Sequence, residues 1–558
     1  MIKQLIIDGK KSYDDFGVYI ASRNISSPTK KVIKESVPFT NEVYDFSKMN
    51  GEIYWEERTL EYTFDIAELT TEEMEVVKSN LLNWFLNVHD TDIYDPYIGD
   101  FHFHGSYDSD SWNEDFGAGE LSVSFTVYPY KISNSDVSVI EEIGVSDGLI
   151  EGNHNIVGLK IDGKSIQDGT PTHNNPIEIQ SIENNIKVVS CGKNLLNIHN
   201  ISPAGYSTTV NGIKYTLNDD GSITVNGTAT ENAFLYFHYI DTELYLPAGT
   251  YRLSYTVENG ELAQNSFRGG YYLEDGTMTW INSVEPFTLS KGEKMFIYIV
   301  ILKGVTINNL KVYPQLERGD MITTFEKYKG NSVNITLTEP LRSLPNGVRD
   351  TYKNGVITRR VGRVVFNGTE TWVNAGYNYN YASTFIKNFK PSSYIYSNYF
   401  HYGQMKETIW MGSQAVAINY GDTIKDLETL KSFLVEKYNG GNPVYAEYEL
   451  LEPIIETIEQ PTIIGYKDIT NIIVESGIST TFEVYYNETK TITINNNSSH
   501  RIAPTITSTG QLTITLNNIS YSIGEGTYTS GLYLEPGENN LTITGYGEIT
   551  FSYSEEVF

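Results

Sequence analysis

The chain has nine histidines, and only His102 and His104 stand close together. In Phe101-His102-Phe103-His104 an extended backbone puts both imidazoles on one face, as two zinc ligands require. Cys191 is the sole cysteine and no second pair completes a tetrahedral set, so the histidines are read as part of a polar strand face and no metal site is assigned. Asp90, Asp92, Asp95 and Asp100 carry the charge of a calcium loop but lack its glycine and closing glutamate, and are read as a solvated loop. Calcium held by loop oxygens of a sandwich module stays open, with no ligands chosen, and no other cofactor is expected. No nucleophile elbow, His-Glu-x-x-His or phosphate-loop pattern stands out, and among 70 acidic residues a glycosidase pair cannot be told from chance. No catalytic residue is assigned, and the chain is read as a non-enzyme.

Aromatic residues carry more. Their flat faces stack on the C–H faces of sugars while nearby Asn, Asp and Gln bond the hydroxyls. Tyr236, Tyr239, Tyr271, Tyr272 and Trp280 lie in one stretch; Trp372, Tyr377, Tyr379, Tyr381 and Trp410 lie in another. In Asn374-Ala375-Gly376-Tyr377-Asn378-Tyr379-Asn380-Tyr381, tyrosines at every second position would share one strand face. Tyr377, Tyr379, Tyr381, Trp372, Trp410, Tyr271, Tyr272 and Trp280 are therefore the candidate carbohydrate-binding residues. The plainer reading makes them core or ordinary sheet aromatics, and the tyrosine cluster an interface between modules. Arg359, Arg360 and Arg363 form the densest basic patch, read first as salt-bridge partners of an acidic surface and second as a site for an anionic wall polymer.

The elements that must position these residues are mostly strands. Arg58 to Ile66 and Gly119 to Val127 alternate apolar and polar residues. Between them Thr70 and Glu73 make a capping box, and Met74, Val77, Leu81, Trp84, Phe85 and Val88 form a helical stripe, which predicts one helix over about 71–89. Strand and turn signals repeat through 194–330 with no helical period, the pattern of a jelly-roll sandwich. A second module over 331–480 carries a helix that starts at Asp422 or Thr423 and stops at Gly440. Four alternating segments near Thr491, Leu512, Leu541 and Ile549 close the chain as a small all-β domain. The expected organisation is 1–133, a connector 134–193, the modules 194–330 and 331–480, and a last domain 481–558: a mostly β, multi-domain β-sandwich protein.

Composition narrows the partners. Lys plus Arg total 40 against 70 Asp plus Glu, and the net charge of −30 repels a phosphate backbone, so specific nucleic-acid binding is not expected. With 558 residues the chain needs roughly three to five domains. A single cysteine closes no internal disulfide, which suits assembly in a reducing cytosol. The longest apolar run, Met295 to Leu302, is strand-length, so neither a signal peptide nor a membrane span is expected.

Several blocks, in order, resemble the N-terminal domain of siphophage distal tail proteins. They are Tyr13-Asp14-Asp15-Phe16-Gly17, Lys34-Glu35-Ser36-Val37-Pro38-Phe39, Tyr44-Asp45-Phe46-Ser47, Glu56 to Phe64, and the helix followed by Gly119 to Pro129. The tail from Asn487 to Phe558 is similar to that family's C-terminal galectin-like sandwich, notably at Ile502-Ala503-Pro504-Thr505-Ile506 and Glu535 to Ile543. Residues 134–480 intervene, as in extended members that carry inserted carbohydrate-binding modules. Tyr313 to Asp320 with Thr323 to Tyr328 resembles the closing motif of jelly-roll modules in phage tail proteins, and Leu344 to Asp350 with Gly362 to Val365 the start of a second module.

The resemblance implies a virion protein of the tail tip, or baseplate. It implies a homohexameric ring that joins the tail tube protein to the tail-associated hub protein; the Tyr and Trp residues of the insertion add the expectation that its modules bind host cell-wall polysaccharide during adsorption. Two other readings stay open: a tail-associated glycan hydrolase, and an architectural insert that docks a separate receptor-binding protein.

Overall fold

The alternation at Arg58 and Gly119 has a direct outcome in the computed structural model. Strands Arg58–Ala67 and Ala118–Val127 pair antiparallel from Arg58↔Val127 to Ala67↔Ala118. The structure describes residues 3–48, 51, 53–115, 118–164, 183–238, 244–263, 266–273, 276–283, 285–374, 381–403, 408–411, 415–421, 424, 426–475, 480–529 and 531–558. Leu60, Tyr62, Phe64, Leu121, Val123 and Phe125 share one face of the pair and are fully buried. Helix α1, Thr71–Phe85, closes that core with Met74, Leu81, Trp84 and Phe85. The Phe85 ring sits 5.6 Å from Phe64 and 5.8 Å from Phe125.

The capping box forms as read: Glu73 N donates to Thr70 Oγ1, and Thr70 N donates to the Glu73 carboxylate. The helix ends four residues short of the expected 89. Asn87 N bonds Trp84 O and Val88 N bonds Phe85 O, a tightening to three-residue turns that keeps Val88 buried while ending the α pattern.

A boundary near 133 does not interrupt the chain, because Lys131–Ile143 is one strand. Its start pairs with Phe101 and His102, and its length pairs with Gly537–Val557, from Lys131↔Val557 to Ile143↔Gly547. Val137, Val139 and Ile143 pack into the core of the C-terminal sandwich with Ile514, Leu541, Ile543 and Phe551. The segments Met1–Ile143 and Glu488–Phe558 thus form one unit, and Gly144–Asn487 forms a second.

The last strand turns a corner. Residues up to Gly545 pair with Glu488–Asn496, while Gly547 onward pairs with Lys131–Ile143. Gly545 (φ 130°) and Gly547 (φ 125°) make the bend, and a Cβ on Gly545 would stand 2.1 Å from Gln511 O. Two segments read as separate strands, near Leu541 and Ile549, are therefore one.

Among its described residues the second unit holds three large cores. In the first, strands Ile156–Gly163, Thr351–Lys353, Val356–Phe366 and Thr480–Tyr486 share a sheet. Leu149–Glu151, Asn185–Cys191, Gly330–Thr336 and Ile469–Glu475 form another. Ile161, Val188, Ile335, Tyr352, Ile357, Ile472 and Val484 are packed together in their core. Much of the stretch read as a connector is thus strand, joined to partners far along the chain.

The second core is built mainly from 194–328, where a six-stranded and a five-stranded sheet enclose Ile213, Val225, Leu253, Ile297, Ile299 and Val312, and Cys191 and Ile473 add to it. Its closing motif works through buried polar side chains. Glu317 accepts from Thr323 N at 3.0 Å and Gln315 Oε1 accepts from Glu326 N at 2.8 Å, which fastens the returning loop to strand Thr306–Arg318. The lone Cys191 is buried as part of this core, and burial pushes its thiol up to about 12.

The third core gathers Phe366, Ile395, Ile409, Ile418, Leu430, Leu434 and Ala446. Helix α2, Leu427–Asn439, starts under Asp426, whose side chain accepts from Thr429 N. The expected start residues, Asp422 and Thr423, lie outside the described residues, and Gly440 caps the C-terminus as read. No helix among the described residues is long and apolar enough to cross a membrane.

Candidate carbohydrate-binding face

Strand Glu293–Ile301 carries aliphatic and aromatic side chains in alternation. Met295, Ile297, Ile299 and Ile301 enter the second core, while Phe296, Tyr298 and Val300 form a small cluster on the opposite face with Tyr236 and Met278. Neighbouring strands Ala233–His238, Phe267–Tyr272 and Met278–Asn282 extend that face. Across it, Tyr236 is opposite Tyr298, Tyr298 opposite Arg268, and Arg268 opposite Asn282. Next to this row Phe296 is opposite Gly270 and Gly270 opposite Trp280.

Glycine at 270 is what lets the rings close up. A Cβ there would lie 2.6 Å from Phe296 Cζ and 2.5 Å from Thr279 O. The Trp280 ring stands edge-on to Phe296 at 5.7 Å, and Tyr272 is also 5.7 Å from Phe296. Tyr236 is 5.2 Å from Tyr298 and 5.9 Å from Phe234. Trp280 is 52% exposed, Tyr272 46% and Phe234 36%, over a floor of buried Phe296 and Tyr298. Burial raises the Tyr298 hydroxyl pKa, and Arg268, which hydrogen-bonds it, opposes the shift. Rings open to solvent beside Arg268 and Asn282 combine stacking surface with hydroxyl-bonding groups, the pairing a glycan uses.

Of the candidate residues in this module, Tyr272 and Trp280 are on the face, and Tyr271 points the other way against the core. Tyr239 lies outside the described residues. In the other module Trp372 is 5% exposed; its indole donates to Glu370 Oε2 and its ring packs on Phe366, so both its faces belong to the core. Tyr377 and Tyr379 lie outside the described residues. Tyr381 opens strand Tyr381–Phe385 opposite Asn419, and Trp410 is opposite Ala417; their side chains are outside what is described. Phe234, Phe296, Tyr298, Arg268 and Gly270 were missed. For Phe296 and Tyr298 a signal is present in Met295 to Leu302, where rings occupy two even positions of a run whose odd positions are aliphatic; Phe234, Arg268 and Gly270 lie outside that run.

The two histidines are held by different neighbours. His104 Nδ1 is 2.7 Å from Asp92 and its Nε2 3.0 Å from Asp90, while His102 Nδ1 meets Asn134 at 2.8 Å. Burial alone would lower the His104 pKa, but the bonds to Asp92 and Asp90 outweigh it and hold the imidazole above its ordinary value. Asp95 is not a solvated loop residue: it is buried, 2.7 Å from Arg23 and 2.9 Å from the Tyr62 hydroxyl. Among the described residues no group of three His, Cys, Asp or Glu side chains could hold a metal ion.

The basic patch divides. Arg359 is buried with its donors taken by Glu456 Oε1 (2.8 Å), Pro340 O (2.7 Å) and Glu339 O (2.9 Å), and Asp350 stands 3.5 Å away. Arg360 reaches Thr351. Arg363 lies over the Tyr445 ring at 3.6 Å, with Glu447 at 3.8 Å.

No protein-family model matches the chain, and no curated protein matches it. Among solved structures it is similar to the Dit (gp 19.1) protein of phage SPP1, described as a paradigm of the hub adsorption apparatus in Gram-positive infecting phages. Identity there is 10%, with 57% of this chain and 99% of that chain covered, at a TM-score of 0.22. It is also similar to a chain of the phage P2 baseplate in its activated conformation with Ca, at 9% identity, 58% and 100% coverage and a TM-score of 0.18. Likenesses this loose leave the reading of function to the residues themselves.

Proposed function

We propose that the chain is a structural protein of a phage tail tip, in which Met1–Ile143 with Glu488–Phe558 assembles into a ring of six copies between tail tube and hub protein. The observation that carries this is an unpartnered arm. Lys34–Ser36 and Val43–Asp45, from blocks that bear the distal-tail-protein resemblance, form an isolated two-stranded hairpin with Val32, Ile33, Phe39, Val43, Tyr44 and Phe46 all exposed. A lone hairpin is marginal in water and an apolar surface of this kind calls for a protein partner, which a neighbouring copy in a closed ring supplies. The resemblance blocks at the two ends of the chain also belong to one unit, zipped by Lys131–Ile143 and Gly537–Val557.

Within Gly144–Asn487, the Trp280 face binds host cell-wall carbohydrate. Each site is shallow, and six on one ring would raise avidity by about 10² to 10⁴. Native mass spectrometry of the full chain tests the ring, with a hexamer expected and a strict monomer fatal to it. Binding to host walls before and after removal of their secondary polysaccharides tests the adhesin role; retention that ignores the polysaccharide would sink it, and sugar release from the walls would replace it with hydrolysis.

A further inference from the structure

A cleft of about 620 Å³ opens on the third core of Gly144–Asn487, well apart in sequence from the aromatic face. Its lining holds Arg342, Arg359, Arg363 and Lys387 against two carboxylates, Glu339 and Glu456, in a chain whose net charge is −30. Arg359 is saturated and belongs to the wall. The other cations are not saturated. Arg363 makes no hydrogen bond to any described residue and is 31% exposed along its side chain. Lys387 is exposed, with no ion pair among the described residues. Arg342 gives Nη2 to Glu339 at 2.6 Å, while its buried Nε stands 3.6 Å from Glu447, too far for a hydrogen bond.

The floor is flat. At Gly362 a Cβ would fall 2.6 Å from the Tyr448 ring, so the ring lies directly on the strand. Behind the cleft Glu447 is buried, and burial pushes its carboxyl up to about 7 against the pull of Arg363 and Arg342. Near neutrality the arginines are therefore only partly compensated.

We propose that this cleft binds a phosphodiester group of a polyol-phosphate chain, held by Arg363 and Lys387 with Arg342 behind them. Arginine forks match phosphate oxygens, and the rim carboxylate of Glu339 accepts polyol hydroxyls while repelling a dianion, which favours the singly charged diester. The inference goes beyond the carbohydrate face and fails or stands separately from it, since the two use different residues.

Calorimetry of the full chain with poly(glycerol phosphate), dimethyl phosphate and, as a charge-only control, polyglutamate is the test. Saturable binding of poly(glycerol phosphate) is expected, weakened at least about tenfold by Arg363→Gln or Lys387→Gln, the effect of one charge-assisted bond, and unchanged by Trp280→Ala. Competition by dimethyl phosphate supports a site for the ester alone. Polymer binding that dimethyl phosphate leaves intact but Arg363→Gln weakens supports a site that also reads the polyol. Absence of binding, equal binding of polyglutamate, or full binding by a folded double variant overturns the proposal. Lys387 is exposed, so its variant reads binding without disturbing the fold.

Discussion

Glu447 is a carboxyl that the fold holds in its acid form up to about pH 7, chiefly by burial. Its folded pKa exceeds the unfolded value of 4.5, so its contribution to stability is complete below about 4.5 and is lost as pH rises through about 7. Replacing it with Gln removes that proton from the balance. The midpoint of thermal unfolding of Glu447→Gln should gain on the parent between pH 5 and pH 8; parallel profiles would show that Glu447 is ionised throughout. Trp280 and Tyr272 call for a different readout, because half-exposed rings contribute little to the core. Alanine at either should leave unfolding nearly unchanged and weaken wall-polysaccharide binding about fivefold, the effect of about 1 kcal/mol. Binding assays on the two variants decide it.

Elements here depend on single residues at their ends and corners. Thr70→Ala removes one half of the α1 capping box and should cost about 1 kcal/mol, measurable by denaturant unfolding with α1 content followed by circular dichroism. Gly545→Ala is the harsher change. It places a Cβ 2.1 Å from Gln511 O at a φ of 130°, and strain of about 1–3 kcal/mol should lower the unfolding midpoint of the Glu488–Phe558 sandwich. The Thr70 cap could be read from residue type and spacing, since its partner is three residues away. The corner at Gly545 could not, because its reason is Gln511, a neighbour only after folding.

At the scale of the whole molecule the insertion has a narrow root. Ile143 pairs with Gly547 and Glu488 with Gly545, two residues apart on the last strand, and Tyr486 N donates to Gly144 O at 2.9 Å, so the two ends of the insertion stand side by side. Excising 144–487 and joining the ends through a short Gly-Ser linker should leave Met1–Ile143 with Glu488–Phe558 folded, with its own cooperative transition by calorimetry. An unfolded product would mean that the insertion completes that unit. Ring formation should survive this excision and be lost when Phe39, Tyr44 and Phe46 are replaced by Ser, as native mass spectrometry will show.

What the amino-acid order determined by itself was local: the β class, the α1 cap and stripe, the alternation of the terminal strands, and a supply of aromatics in the insertion. These follow from contacts between residues a few positions apart, where side-chain period and turn chemistry suffice. Tertiary structure alone decided the rest. It joined Lys131–Ile143 to a strand at the far end of the chain, and built a further core by pairing segments read as a connector with strands from 330–486. It buried Trp372 while exposing Trp280, and set Arg363 and Lys387 around one cleft. Each of these outcomes rests on burial against partners distant in sequence, and a period of two tells which residues share a face but not which face meets water.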